Sequence, residues 1–308
     1  MSSRLLVLTW HNVHPTWCFP ASPGAGAQGL ARQLAFCRRA ANVVPLERAA
    51  HALAAGRPLP RRAVALTFDD GYRDSLDVAV PMLRQLGLPA TFFLVPGLLD
   101  GTTSSWWEVV AWVCRCARAT SFEFEGAVLP LRTEAERRRA SGTVAELLKK
   151  RSSAARSAAI EELRERCRPA GSPPGHDMFL DWTGAAELAR MGFEIGSHSS
   201  AHDILSREDG AAQRADLVRS RRDLEDNLQV PVRHLAYPNG KGADYDDDTI
   251  AAARDAGFEG AWTTHGGRNA PETPTFELRR YVVEPQRGPA AFGLLGKQWW
   301  ESRCASST

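Results

Sequence analysis

The chain predicts an α/β fold, a distorted (β/α)7-type barrel carrying one helical insertion, and three observations lead there. Short β-prone runs alternate with longer helical patterns, which implies parallel strands joined by crossovers. Polar residues gather just after those runs, at His11, Asp69, Asp70, His198, Pro238 and Asn239. Active sites of such barrels sit at the C-terminal edge of the strands. Finally, 308 residues with 44% hydrophobic content suffice for a large core, so we expect one catalytic domain over residues 1–308.

Leu5–Trp10 opens the chain as an apolar strand, followed by a helix over Gly29–Ala41. Val64–Phe68 is the next strand. Leu76, Val80, Leu83 and Leu86 then recur at helical spacing and Gly87 closes that helix. Thr91–Val95, Phe193–Gly196, His234–Tyr237, Gly260–Thr263 and Arg279–Val283 read as the remaining strands. Helices over Ala185–Met191, Ala211–Leu228 and Asp247–Ala256 fall among them. The rhythm breaks at about 101–175. Trp106–Val113 predicts an aromatic-rich amphipathic helix, Glu134–Arg168 a charged helix with a break near Gly142, and Gly171–Gly175 a linker. We read this stretch as a helical insertion over the barrel, its tryptophans mostly core. Trp299 and Trp300 are expected on a final helix packed against the barrel.

Composition excludes several classes. A formal charge of +2, with acidic residues interleaved among the arginines, gives no basic tract and no nucleic-acid signature. No apolar run approaches membrane-spanning length, and the first ten residues enter a strand without a signal-like stretch, so a cytoplasmic location is expected. Six cysteines (Cys18, Cys37, Cys114, Cys116, Cys167, Cys304) are scattered without a CxxC pair, which argues against a disulfide framework or a zinc ribbon.

The chemistry centres on two strand ends. Ala65-Leu66-Thr67-Phe68-Asp69-Asp70-Gly71 carries two carboxylates out of an apolar strand, and buried carboxylates need a cationic partner. An exposed turn is the alternative for that segment alone. His198-Ser199-Ser200-Ala201-His202 then offers two imidazoles that converge if the segment curls. Two histidines, one carboxylate and open positions suit zinc, or iron, cobalt or nickel. Neighbours on a strand face opposite ways, so Asp69 and Asp70 share one site only if the pleat ends there, as Gly71 permits.

With these motifs the chain resembles the polysaccharide deacetylase family, carbohydrate esterase family four. Thr67-Phe68-Asp69-Asp70-Gly71 matches its first motif and His198-Ser199-Ser200-Ala201-His202 its second; Ala90-Thr91-Phe92-Phe93-Leu94 is also typical. Ala236-Tyr237-Pro238-Asn239-Gly240 resembles the Phe-Ala-Tyr-Pro-Tyr-Gly variant, in which the arginine that braces the catalytic aspartate is missing. Arg279, Arg280 and Arg73 are the candidate replacements. The usual late Leu-x-x-His motif is absent, and Thr9-Trp10-His11 is similar to the opening of circularly permuted members. The resemblance therefore implies Asp70, His198 and His202 as metal ligands and Asp69 as general base. It implies His11 as general acid, with His265 the competing candidate, and Pro238, Asn239 and Tyr237 around the oxyanion and substrate. The implied substrate is an N-acetylated sugar of a polysaccharide, oligosaccharide or lipid-linked precursor, the last entailing peripheral contact with a membrane. An O-acetyl ester, a formamide or a cyclic amide at the same site, and a non-catalytic glycan-binding barrel, are the alternatives. His51, His176 and His234 stand outside every motif and are expected to be structural.

Overall fold

The computed structural model describes residues 4–20 and 25–283; the expectation for Trp299 and Trp300 lies outside them. In chain order the strands and helices are β1 (Leu5–Trp10), α1 (Gly26–Ala40), β2 (Asn42–Val43), α2 (Leu46–Ala54), β3 (Ala63–Phe68), α3 (Val80–Leu86, after a π-helical turn over Ser75–Ala79), β4 (Thr91–Leu94) and α4 (Pro96–Leu99). The inserted region follows with α5 (Trp106–Arg115), β5 (Ser121–Phe124), β6 (Ala127–Pro130), α6 (Glu134–Leu148) and α7 (Ser153–Cys167). The fold resumes with α8 (Trp182–Arg190), β7 (Glu194–Ser197), α9 (Gly210–Leu228), β8 (His234–Ala236), α10 (Asp247–Asp255), β9 (Gly260–Trp262), β10 (Arg268–Asn269) and β11 (Tyr281–Val282).

The main sheet is mixed and curves into a half-barrel with helices around it, in the order β10-β1-β3-β4-β7-β8-β9, with β11 beside β1 and β2 beside β3. All neighbours on the path from β1 to β9 are parallel. The segment 275–283 spans the open side. Thr263 N–H donates to the Leu278 carbonyl next to β9, and Tyr281 pairs with Leu8 of β1.

Parallel strands are covered on both faces, and their alternation sorts two apolar layers. Leu6, Leu8 and Trp10 with Val64, Leu66 and Phe68 face the surrounding helices. Leu5 and Val7 with Ala63, Ala65 and Phe93 face the lumen, where α2 plugs the base through Leu46, Ala49 and Leu53. Continuing the inward set by steps of two leads from Ala65 to Thr67 to Asp69. The catalytic-looking carboxylate thus inherits its direction from the strand.

Two expectations are corrected. α6 runs unbroken through Gly142, and the chain breaks instead at Lys149–Ser152, where Ser152 caps α7 by accepting from Ala155 N–H. The hairpin of β5 and β6 and the helix α2 were not expected, although α2 is amphipathic and buries Leu46, Ala49, Ala50 and Leu53 on one face. The inserted elements have their own core, built on Trp106, Trp107, Trp112, Val110, Val144 and Leu163, so these tryptophans are core as expected. The described cysteines form no disulfide with one another. No helix among the described residues is long and apolar enough to cross a membrane.

Candidate metal centre

Asp70, His198 and His202 meet at one buried point, all three ligand atoms lying within 4.8 Å of one another. Asp70 Oδ1 is 3.3 Å from His198 Nε2 and 3.2 Å from His202 Nε2. The pleat ends at Asp70 itself, whose φ of +69° turns its side chain toward the lumen edge, with Gly71 following at +76°. Asp69 and Asp70 thereby reach the same site despite being neighbours. The histidine segment forms no helix. Ser199 (φ +64°) and His202 (φ +56°) fold it into a tight loop, closed by the His202 N–H donating to Ser199 Oγ at 2.9 Å. Among the described residues eight non-glycine positions have positive φ, and Asp70, Ser199, His202 and Asn239 are four of them. Backbone strain therefore concentrates at this site, the usual mark of a functional one.

His198 Nδ1 donates to the Ala236 carbonyl at 2.7 Å, which points the Nε2 lone pair at Asp70. Asp70 Oδ1 has no hydrogen-bond partner among the described residues, nor has His202 Nδ1. Burial alone would raise the Asp70 carboxyl, but His202 and His198 hold it well below the usual carboxylate range. An ionised carboxylate facing two imidazole nitrogens, out of water, calls for a cation, and this donor set suits a divalent metal.

Beside it stands Asp69, also fully buried, and the missing brace is found. Arg280 Nη1 donates to Asp69 Oδ1 at 2.7 Å. Burial pushes the Asp69 carboxyl up, yet Arg280, His198 and His11 outweigh it and keep it ionised. Arg280 is itself fully buried, with Nη1 also near Thr9 Oγ1 and Thr67 Oγ1, Nε on the Thr263 carbonyl, and the guanidinium 5.2 Å over the Phe93 ring. Threonines within otherwise apolar strands were the available signal for an inward arginine. Arg279 is exposed, and Arg73 is half-buried and turns to the Asp177 carbonyl.

His11, half-buried at the end of β1, acts electrostatically on Asp69, Asp70 and His202, which puts it at the same site. Its loop is pinned on three sides. Asp74 Oδ2 accepts from Val13 N–H at 2.8 Å and His14 N–H at 2.6 Å. Glu108 Oε2 accepts from Cys18 N–H at 2.9 Å, and Arg115 Nη1 donates to the Trp17 carbonyl at 2.9 Å. Glu108 belongs to a buried chain that sequence reasoning missed. Trp107 Nε1 donates to Tyr72 Oη and Tyr72 Oη to Glu108 Oε1, each at 2.8 Å, while the Trp107 ring lies 4.3 Å from that of His202. The insertion thus buttresses both a candidate ligand and the His11 loop. His265, by contrast, is exposed and lies against Tyr245.

The Pro238 turn is rigid. Gly240 N–H donates to the Pro238 carbonyl at 2.6 Å, Thr264 Oγ1 to the Asn239 carbonyl at 2.7 Å, and the Asn239 side chain to Asp244. Asn239 N–H has no acceptor among the described residues. Tyr237 does not join the site. Its ring stacks on Tyr245 at 4.6 Å and its hydroxyl donates to the Phe276 carbonyl at 3.0 Å, so it packs the wall. His51 pairs with Glu259 and His234 is buried against Trp262, both structural as expected.

A half-barrel with a buried Asp–His–His cluster and a separate braced carboxylate at its strand ends defines an α/β protein with a candidate metal centre. Comparison with known sequences narrows this: the family described as polysaccharide deacetylase matches residues 56–115 and 134–261, and the chain belongs to that family. Among relatives, YxkH of Bacillus subtilis (strain 168) is 20% identical over 232 residues, 75% of this chain and 55% of its own length. The poly-beta-1,6-N-acetyl-D-glucosamine N-deacetylase of Escherichia coli (strain K12) is 30% identical over 96 residues, 31% of this chain and 14% of that protein. The chain thus spans only about half, or a seventh, of the curated relatives it matches. The fold is shared with the Streptococcus pyogenes deacetylase PplD, solved with acetate (TM-score 0.62, 17% identity, covering 95% of this chain and 97% of that one).

Proposed function

We propose that this protein is a metal-dependent hydrolase that removes acetyl groups from an N-acetylated sugar of a polysaccharide, with β-1,6-linked poly-N-acetylglucosamine the first substrate to test. The observation that carries this reading is the pairing of the Asp70–His198–His202 cluster with Asp69, a second ionised carboxylate held apart from it by Arg280. A binding barrel needs neither, so a non-catalytic role is disfavoured.

In this reading Asp70, His198 and His202 would hold a divalent ion, zinc first among the candidates, and that ion would supply Lewis acidity, which brings the pKa of water from 15.7 toward ~7. Asp69 takes the proton of the attacking water; its carboxylate is free to do so because Arg280 keeps it charged and aimed. Asn239 N–H, with no competing acceptor and a pinned turn beneath it, donates to the developing oxyanion. His11 delivers a proton to the departing sugar amine, the role the permuted members suggest for this position. Each proton transfer is typically worth about 100- to 10,000-fold. The chain works as one catalytic unit, the insertion over 101–175 serving as one wall.

The test separates the two carboxylates. Asp69→Asn should abolish acetate release from N-acetylglucosamine oligomers while bound metal stays near one equivalent. His198→Ala should lose metal and turnover together. An active, metal-free His198→Ala protein would refute the site.

A further inference from the structure

We propose that the cavity between α7 and the metal-ligand loop is a subsite for uncharged sugar units of a bound glycan, an assignment that rests on the hydrolase reading above. The cavity, about 600 Å³, lies within the usual range of small-molecule sites. Its walls come from the insertion, through Trp106, Arg156 and Ser157, and from Ala201 and Asp203, which flank His202. Whatever fills it therefore touches the loop that carries His202, through the residues on either side of it.

The lining is polar and aromatic. Arg156 is 3% exposed, pairs through Nη2 with Asp203, and lies 5.0 Å over the Trp106 ring, yet its Nη1 has no partner among the described residues. The Trp106 indole N–H is also buried without an acceptor among the described residues. Both donors are out of reach of water, so they would meet hydroxyl or amide oxygens of a ligand only after a small shift of the side chains. The charges of this wall cancel: Asp203 matches Arg156, and Glu161 matches Arg164 at 3.0 Å. A neutral wall with an indole, a guanidinium and several hydroxyls fits pyranose rings better than a phosphate. Burial pushes the Asp203 carboxyl up, and Arg156 opposes that.

The experiment uses the metal-loaded protein and β-1,6-linked N-acetylglucosamine monomer, dimer and pentamer. Ser157 is exposed on α7 at the edge of the cavity, so Ser157→Trp plugs it without disturbing the core, and Ser157→Ala is the control. For the wild type, KM should fall about tenfold from dimer to pentamer, about one decade of binding. Ser157→Trp should erase that fall and leave kcat and KM on the dimer unchanged. Equal KM for dimer and pentamer in the wild type, or an unaltered fall in Ser157→Trp, overturns the subsite while leaving the hydrolase reading intact. If no oligomer releases acetate, that reading fails, and quenching of tryptophan fluorescence by the pentamer decides the cavity. Quenching lost in Ser157→Trp supports the subsite, and no quenching overturns it. Competition by inorganic phosphate would overturn the assignment to uncharged sugar.

Discussion

Replacing Arg280 with methionine should be the most informative single change. The guanidinium is fully buried, 2.7 Å from a fully buried Asp69, so its removal strands a carboxylate out of water. Breaking a buried pair from one side costs about 3–5 kcal/mol. At roughly 2 °C per kcal/mol for a chain this long, Tm should drop by some 5–10 °C. Asp69 would then lower its cost by holding a proton, which removes the general base, so kcat/KM for acetate release should fall about 100- to 10,000-fold. Adding Asp69→Asn to Arg280→Met removes the stranded charge. The double variant should regain most of the lost Tm and none of the activity, giving a strongly non-additive cycle. Arg280→Lys, which keeps the charge but loses the fork, should fall between wild type and methionine in both readouts. A double variant no more stable than Arg280→Met would refute the argument, since the damage would then be lost packing alone.

Other expectations concern the supports of the site and a buried histidine. Glu108→Gln removes one of two acceptors holding the His11 loop and Tyr72, a loss of about 1–3 kcal/mol. Turnover should fall about tenfold with metal content unchanged; parallel loss of metal on dialysis would contradict it. A Cβ at Gly97 would lie 2.8 Å from the Ser200 carbonyl, between the two histidines in sequence. Gly97→Ala should therefore weaken metal affinity about 10- to 100-fold in a chelator competition, and an unchanged affinity would show that the loop gives freely. Burial pulls His234 down to about 4, with Glu259 opposing and His51 and Arg233 adding to the fall. Between that value and 6.5 the unfolded chain binds more protons, so stability is full above pH 6.5 and declines below it, by about 2 kcal/mol at pH 5. Urea unfolding at pH 7.5 and pH 5 should show this decline in the wild type and a smaller one in His234→Leu.

Strand positions and the two motifs were readable because each rests on local pattern. An apolar run sets a buried strand, and a polar group at its end can only lie at the sheet edge. Asp69, Asp70 and His198 stand at such ends, and pairing the two motifs, with the family resemblance, singled them out together with His202. Arg280 stood only as one of three candidates, since its partner lies 211 positions away and its inward direction depends on register across a sheet. Tyr237 was misjudged because proximity to Pro238 in sequence does not fix which wall a side chain faces. Glu108 and Trp107 gave no signal, for they look like any polar and aromatic residues on an amphipathic helix. The expected break at Gly142 failed because helix α6 is held by its Thr133 cap and by packing of Ala140, Val144 and Leu148, which outweigh the local cost of one glycine.

The strand that delivers Arg280 comes last among the described residues and lies against the first, Tyr281 beside Leu8. A ribosome must therefore release nearly all of the described chain before Asp69 acquires its partner. Until then the nascent polypeptide is chemically silent, and any nick that frees the 275–283 segment should silence the finished protein again.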